Sequence, residues 1–345
     1  MSGFRDALLA ALLVATIAWS GQQAFPHLRT LFWALVDQCP AQGASTDTIF
    51  TAQLTRVVCA TTRLVDGIDR PALTYFYSAV AAPLVLFPIL ESTRPHVPFY
   101  RARPTVAALF SHALLLPLAP AAFALLFLAR KRPERPAALT QAHAEAALFG
   151  FLIGSVVLTG SMLALNDPGV TAVWQFAGLA TAGAHYAHFI ARQAPESGYE
   201  VVRAALLVVF MLSSSSHLAM ATPVLGDVGA VIGAVLPSFG TSVEEQALDA
   251  LKWTAWLGAG STVLATLSFA ADSRQLLGYI GWYIFALPFA GPGAAITGAM
   301  LWRESQTQPS DVVQSTVSSA PPRVATMEKE VARLPDNSST TVKGS

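Results

Sequence analysis

Long apolar runs separated by short polar breaks dominate the chain. They cover about residues 7–25, 72–90, 105–129 and 144–165, then 170–191, 202–221, 251–271 and 276–302. A helix that crosses hydrocarbon needs about 20 such residues, and breaks such as Asn166-Asp167-Pro168-Gly169 are turn-forming. The pattern predicts an all-α fold, a polytopic membrane helical bundle of about eight transmembrane helices over residues 1–303. The stretch 225–240 is apolar but short and glycine-rich, which predicts a re-entrant or interfacial piece. Residues 304–345 turn polar and rich in Ser, Thr, Gln and Pro, which predicts a disordered polar tail without an active site. The first run, behind Arg5, could be a cleaved signal peptide, but its unbroken length and the lack of a clear small-x-small cleavage site favour a retained anchor.

Composition agrees with lipid as the main surroundings. The 345 residues are 53% hydrophobic and 12% charged, with mean hydropathy +0.50, against about 25% charged in a soluble domain. Lysine plus arginine (21) equals aspartate plus glutamate (21), so no basic excess argues for nucleic acid. Cys39 and Cys59 share one inter-helical segment, where a lumenal location would permit a disulfide. Alternating the spans groups Arg29, Arg56, Arg63, Arg70, the basic residues of 130–135, Arg192, Arg203 and Arg274 on one face. The positive-inside rule then makes that face cytosolic and places both termini on the lumenal side.

Ionisable side chains at membrane depth are costly and are therefore candidates for function. The same alternation puts Glu91, Asp167, His217, Asp227 and Asp249 at one face, with Trp174, Trp253, Trp256 and Trp302 toward it. Glu91 and Arg94 sit three residues apart at a helix end, within reach of an ion pair. Charged residues and tryptophans flanking spans also serve as plain interfacial anchors. Asp167 fits turn geometry, and Asp249 fits a helix N-terminus. His217 could act as acid or base, or pack as a polar group between helices. His185 and His188 lack a third ligand, so no metal is expected, and no motif for a nucleotide, diphosphate–magnesium or other cofactor occurs.

The runs Leu64-Val65-Asp66-Gly67, Arg70-Pro71-Ala72-Leu73 and Glu91-Ser92-Thr93-Arg94 together resemble the pattern of fungal integral-membrane terpene cyclases of meroterpenoid pathways, of the ascofuranone, ascochlorin and macrophorin type. Ala147-Leu148-Phe149-Gly150 and Val173-Trp174-Gln175 are similar too. The chain departs from the pattern at Pro95-His96-Val97, where the family carries an asparagine, and at Thr254, where it carries an acid. The resemblance implies metal-free protonation and cyclisation of a prenylated phenol or polyketide, an apolar substrate, in a multi-pass protein of the endoplasmic reticulum. It also implies catalytic roles for Glu91, Asp66 and Arg94, with Trp174, Trp253, Trp256 and His217 lining the substrate site. A tight Glu91–Arg94 pair would favour the carboxylate and work against proton donation, leaving Arg94 to contact substrate. The competing reading is a transporter or receptor-like bundle for an apolar small molecule.

Overall fold

A computed structural model describes residues 2–39, 49–94, 118–129, 139–192, 194–223 and 226–307. The basic run 130–135, the departure at 95–97 and the polar tail from 308 lie outside the described residues. Helices follow in the order α1 (Ser2–Asp37), α2 (Ile49–Asp66), α3 (Arg70–Ser92), α4 (Leu118–Leu128), α5 (Gln141–Leu165), α6 (Pro168–Trp174), α7 (Ala177–Ala191), α8 (Tyr199–Ala221), α9 (Val228–Val235), α10 (Val243–Leu267) and α11 (Ser273–Ser305). No strand occurs among the described residues, and five helices, α1, α3, α5, α8 and α11, are long and apolar enough to cross a membrane.

The helix α3 is the axis of the bundle. Of its most apolar stretch 72% is buried, against 17% for α8 and 22% for α1, and Phe76, Leu84, Leu86, Phe87, Ile89 and Leu90 are enclosed. Outer faces carry large apolar side chains such as Trp19, Ile190, Val208, Met211 and Ile284, while Thr171, Thr181, Ser213, Thr262 and Thr297 are buried. Small residues inside and large ones outside let helices approach closely, as in bundles packed within lipid. The contact of α5 with α7 illustrates this, since a Cβ on Gly154 would lie only 2.4 Å from the Thr181 backbone nitrogen.

The stretch read from sequence as one span over 276–302 is folded back on itself. Tyr279 and Trp302 stack at 4.5 Å between ring centroids, and Trp282 Nε1 donates to the Ala295 carbonyl at 2.8 Å. In a straight helix residues 279 and 302 would be roughly 34 Å apart. The reversal occurs at Gly291, whose φ of 85° suits glycine alone. Pro292 follows as the first residue of the returning arm, where a missing N–H costs nothing.

This hairpin and the direction of α4 reassign the two ends. Phe87, Phe127 and Phe269 meet at one end, while Gly258 faces Leu84 and Pro120 deeper in, so α3, α4 and α10 all run toward the Glu91 end. Of the predicted span 105–129, residues 105–117 lie outside the described residues and 118–129 run opposite to the expectation, so the predicted spans over 144–271 were misassigned with it, while the end of the last span stays at the expected end. Arg192, Arg203 and Arg274 therefore lie at the Glu91 end. Arg29, Arg56, Arg63 and Arg70 stay at the Asp66 end, where Arg56 donates to Val36 and Arg70 to Met162.

Gly291→Ala is expected to lower thermal stability in detergent by several degrees. It places a side chain at positive φ and 2.5 Å from the His217 ring. Gly281→Ala, in the same hairpin with open space around it, should leave stability unchanged or raise it slightly. Equal behaviour of the two variants would contradict the hairpin.

Candidate functional site

Four charges are buried together at one end of the bundle. Arg94 Nε donates to Glu91 Oε1 at 2.7 Å, and its NH2 donates to Glu304 Oε1. Arg303 donates to the same Glu91 oxygen. Exposure is 2% for Glu91, 6% for Arg94, 7% for Arg303 and 4% for Glu304. Two carboxylates and two guanidiniums cancel, which is the condition under which such burial is tolerated.

Local sequence positions each member. Glu91 and Arg94 are one turn apart as α3 ends, where Ser92 and Thr93 hydroxyls cap the Ile89 and Leu90 carbonyls. Arg303 and Glu304 close the last turn of α11, and a cation is favourable at a helix C-terminus. The hairpin carries them back to α3. The Phe269 ring lies 4.0 Å beneath the Arg303 guanidinium, a cation–π contact. Phe87, 5.1 Å from Phe127 and 6.2 Å from Phe269, extends this ring into an aromatic group behind it. Burial opposes the charge on Arg94, but the carboxylates of Glu91 and Glu304 outweigh it and raise its pKa.

The network limits the chemistry of Glu91. One of its oxygens accepts from two guanidiniums, so in this arrangement it acts as an acceptor and anchors charge. Arg94 spans both carboxylates. Glu304 is held by Arg94, and its second oxygen meets the Thr307 hydroxyl at 3.4 Å. Both Arg303 and Glu304 escaped the sequence reading. Glu304 was assigned to the polar tail, although α11 continues to Ser305. An Arg-Glu pair directly after a long apolar run was the available signal.

The remaining candidates lie elsewhere. Asp66 is exposed at the end of α2, at the opposite end of α3 from Glu91. Asp167, Asp227 and Asp249 share that end, contrary to the grouping with Glu91. Asp167 and Asp227 cap α6 and α9. Asp249 accepts from the Ser238 backbone at 2.8 Å and from Gly240 at 3.2 Å, and Lys252 donates to Gly233 and Leu236. The apolar piece beyond 225 is thus a short helix and strap fastened onto α10. Trp174 is buried, donates to Thr159 and meets Tyr77 edge-on, while Trp256 donates to Val235. Trp253 packs against Trp19 and Phe239 and lines a shallow crevice with His27, Gln246 and Asp249. Only Trp302, of the four tryptophans, lies toward Glu91. Among the described residues no group of three His, Cys, Asp or Glu could hold one metal ion.

His217 has a structural task. Its Nε2 faces the Pro288 carbonyl at 3.2 Å, and Tyr75 Oη lies 2.9 Å from its Nδ1. The helical partner of the Pro288 carbonyl would be the N–H of residue 292, which proline lacks. Because a carbonyl only accepts, Nε2 carries the proton and Nδ1 accepts from Tyr75. His217 therefore satisfies the carbonyl freed at the hairpin tip and ties it to α3. Tyr75→Phe should cost about 1 kcal/mol in a detergent melt, and His217→Phe more; no loss from either would contradict this role.

No known protein family matches the chain, and neither a curated protein nor a solved structure is similar to it.

Proposed function

We propose that the chain is a multi-pass membrane enzyme of the terpene-cyclase kind, which protonates the olefin or epoxide of a prenylated phenol or polyketide and closes rings without metal. The observation carrying this reading is the pair of buried carboxylates, Glu91 and Glu304, in an ionic cluster that the Phe269 ring covers on the Arg303 side, with Phe87 and Phe127 packed behind it. A carbocation needs both components, since anionic oxygen and π-faces stabilise migrating positive charge and an apolar wall excludes the water that would quench it. Glu304, held by one guanidinium where Glu91 is held by two, is the first choice of proton donor, and it takes up the proton it donates only when its contact with Arg94 opens. Glu91 holds the two arginines and contributes fixed negative charge.

The bundle crosses the bilayer through α1, α3, α5, the α6–α7 pair, α8 and α10 in this reading, while the two arms of α11 enter from the Glu91 end and return to it. Its membrane is the endoplasmic reticulum. One feature favours the competing reading of a transporter for an apolar small molecule. The hairpin tip at Pro288, Gly291 and Pro292 is a helix break at depth, and such breaks form substrate sites in transporters.

Membranes bearing wild type, Glu304→Gln and Glu91→Gln should be incubated with a farnesylated phenol and its terminal epoxide, without added metal. Mass spectrometry should find isomeric cyclised product from wild type, a loss of at least about 100-fold with Glu304→Gln, and a smaller loss with Glu91→Gln. Product that survives both substitutions would move the acid to another residue, Asp66 first. Absence of product from wild type would sink the cyclase reading and leave the transporter.

A further inference from the structure

We infer that the Glu91 end of the bundle faces the cytosol and that the opposite end, closed by a Cys39–Cys59 disulfide, faces an oxidising compartment. This sidedness does not rest on the proposed enzyme activity. The first observation is the disulfide itself, which joins the end of α1 to the middle of α2. Leu31, Leu35, Val36 and Ala60 pack around it in a small cluster separate from the main core. Closing it removes two protons and two electrons from the thiols, and a disulfide-exchange oxidant of the secretory or extracytosolic side accepts them. Such bonds persist outside the cytosol and are rare within it.

The second observation is the distribution of basic residues once the path of the chain is known. Arg5 donates to the Ala270 carbonyl, Arg192 pairs with Glu145 at the start of α5, and Arg203 and Arg274 begin α8 and α11. All four stand at the Glu91 end. The basic run 130–135 follows Ala129 and precedes Leu139 in sequence, and both of these flanks stand at that end too. Five basic residues stand at the far end, Arg29, Arg56, Arg63, Arg70 and Lys252, against those four and the four that the sequence carries between Ala129 and Leu139, and most of the five are engaged there. Arg56 donates to Val36, Arg63 to Gln38, Arg70 to Met162, and Lys252 to Gly233. An excess of arginine and lysine in short loops marks the cytosolic face. Two independent criteria, redox chemistry and charge, therefore select the same orientation. The alternation of eight sequence-defined spans had selected the reverse.

The chain has two cysteines and both are in the disulfide, so a single added cysteine reports on its own position. Gln306→Cys and Thr241→Cys, both at exposed positions, should be produced in sealed vesicles whose cytosolic face is outward and treated with a membrane-impermeant maleimide. Labelling is expected for Gln306→Cys in intact vesicles and for Thr241→Cys only after permeabilisation, with at least a tenfold contrast. Wild type should label only after reduction. The reverse pattern, or equal labelling of both variants in intact vesicles, would overturn the assignment. Labelling of unreduced wild type would remove the disulfide on which it depends.

Discussion

Burying Glu91, Arg94, Arg303 and Glu304 together is possible only if all four stay paired, because an unpaired charge in an apolar interior costs several kcal/mol. That requirement reaches far beyond the four side chains. The end of α3 must meet the end of α11, and α11 can return there only by reversing at Gly291. The reversal needs a residue without a Cβ. It also leaves the Pro288 carbonyl without its helical partner, which His217 and Tyr75 then satisfy from α8 and α3. The polar lock at the tip and the ionic lock at the open end thus fasten the same hairpin to the same central helix.

Chemistry at the site follows from the same pairing. A carboxylate shared by two guanidiniums is a fixed negative charge, not a ready acid, so Glu91 suits cation stabilisation better than proton donation. The Phe269 ring beneath Arg303 explains how the guanidinium is accommodated on its apolar side. In the proposed cyclase Glu304 supplies a carboxylate that the sequence resemblance did not name, since the motifs behind that resemblance end well before it.

The all-helical architecture and the presence of several membrane-length helices were legible from apolar run length alone. Glu91 and Arg94 were legible as a pair because their spacing is local. The depth and side of most other residues were not. Run length cannot distinguish a straight 33-residue helix from a hairpin, and the signal at Gly291 is only a glycine between two prolines. One reversed helix, α4, then inverts the assignments up to the hairpin, which moved Asp167, His217, Asp227 and Asp249 to the wrong end. Glu304 was hidden for a different reason. Composition changes at 304, but the helix persists to Ser305 because Glu304 is neutralised by a residue more than two hundred positions earlier.

The most direct test of this account is a double-mutant cycle between Glu91 and Arg303, read as denaturation free energy in detergent. Glu91→Gln and Arg303→Gln should each cost about 3 kcal/mol, and the double variant should cost at least ~1 kcal/mol less than the two combined. Additive losses would show that the two residues do not pair, and would contradict the hairpin that brings them together.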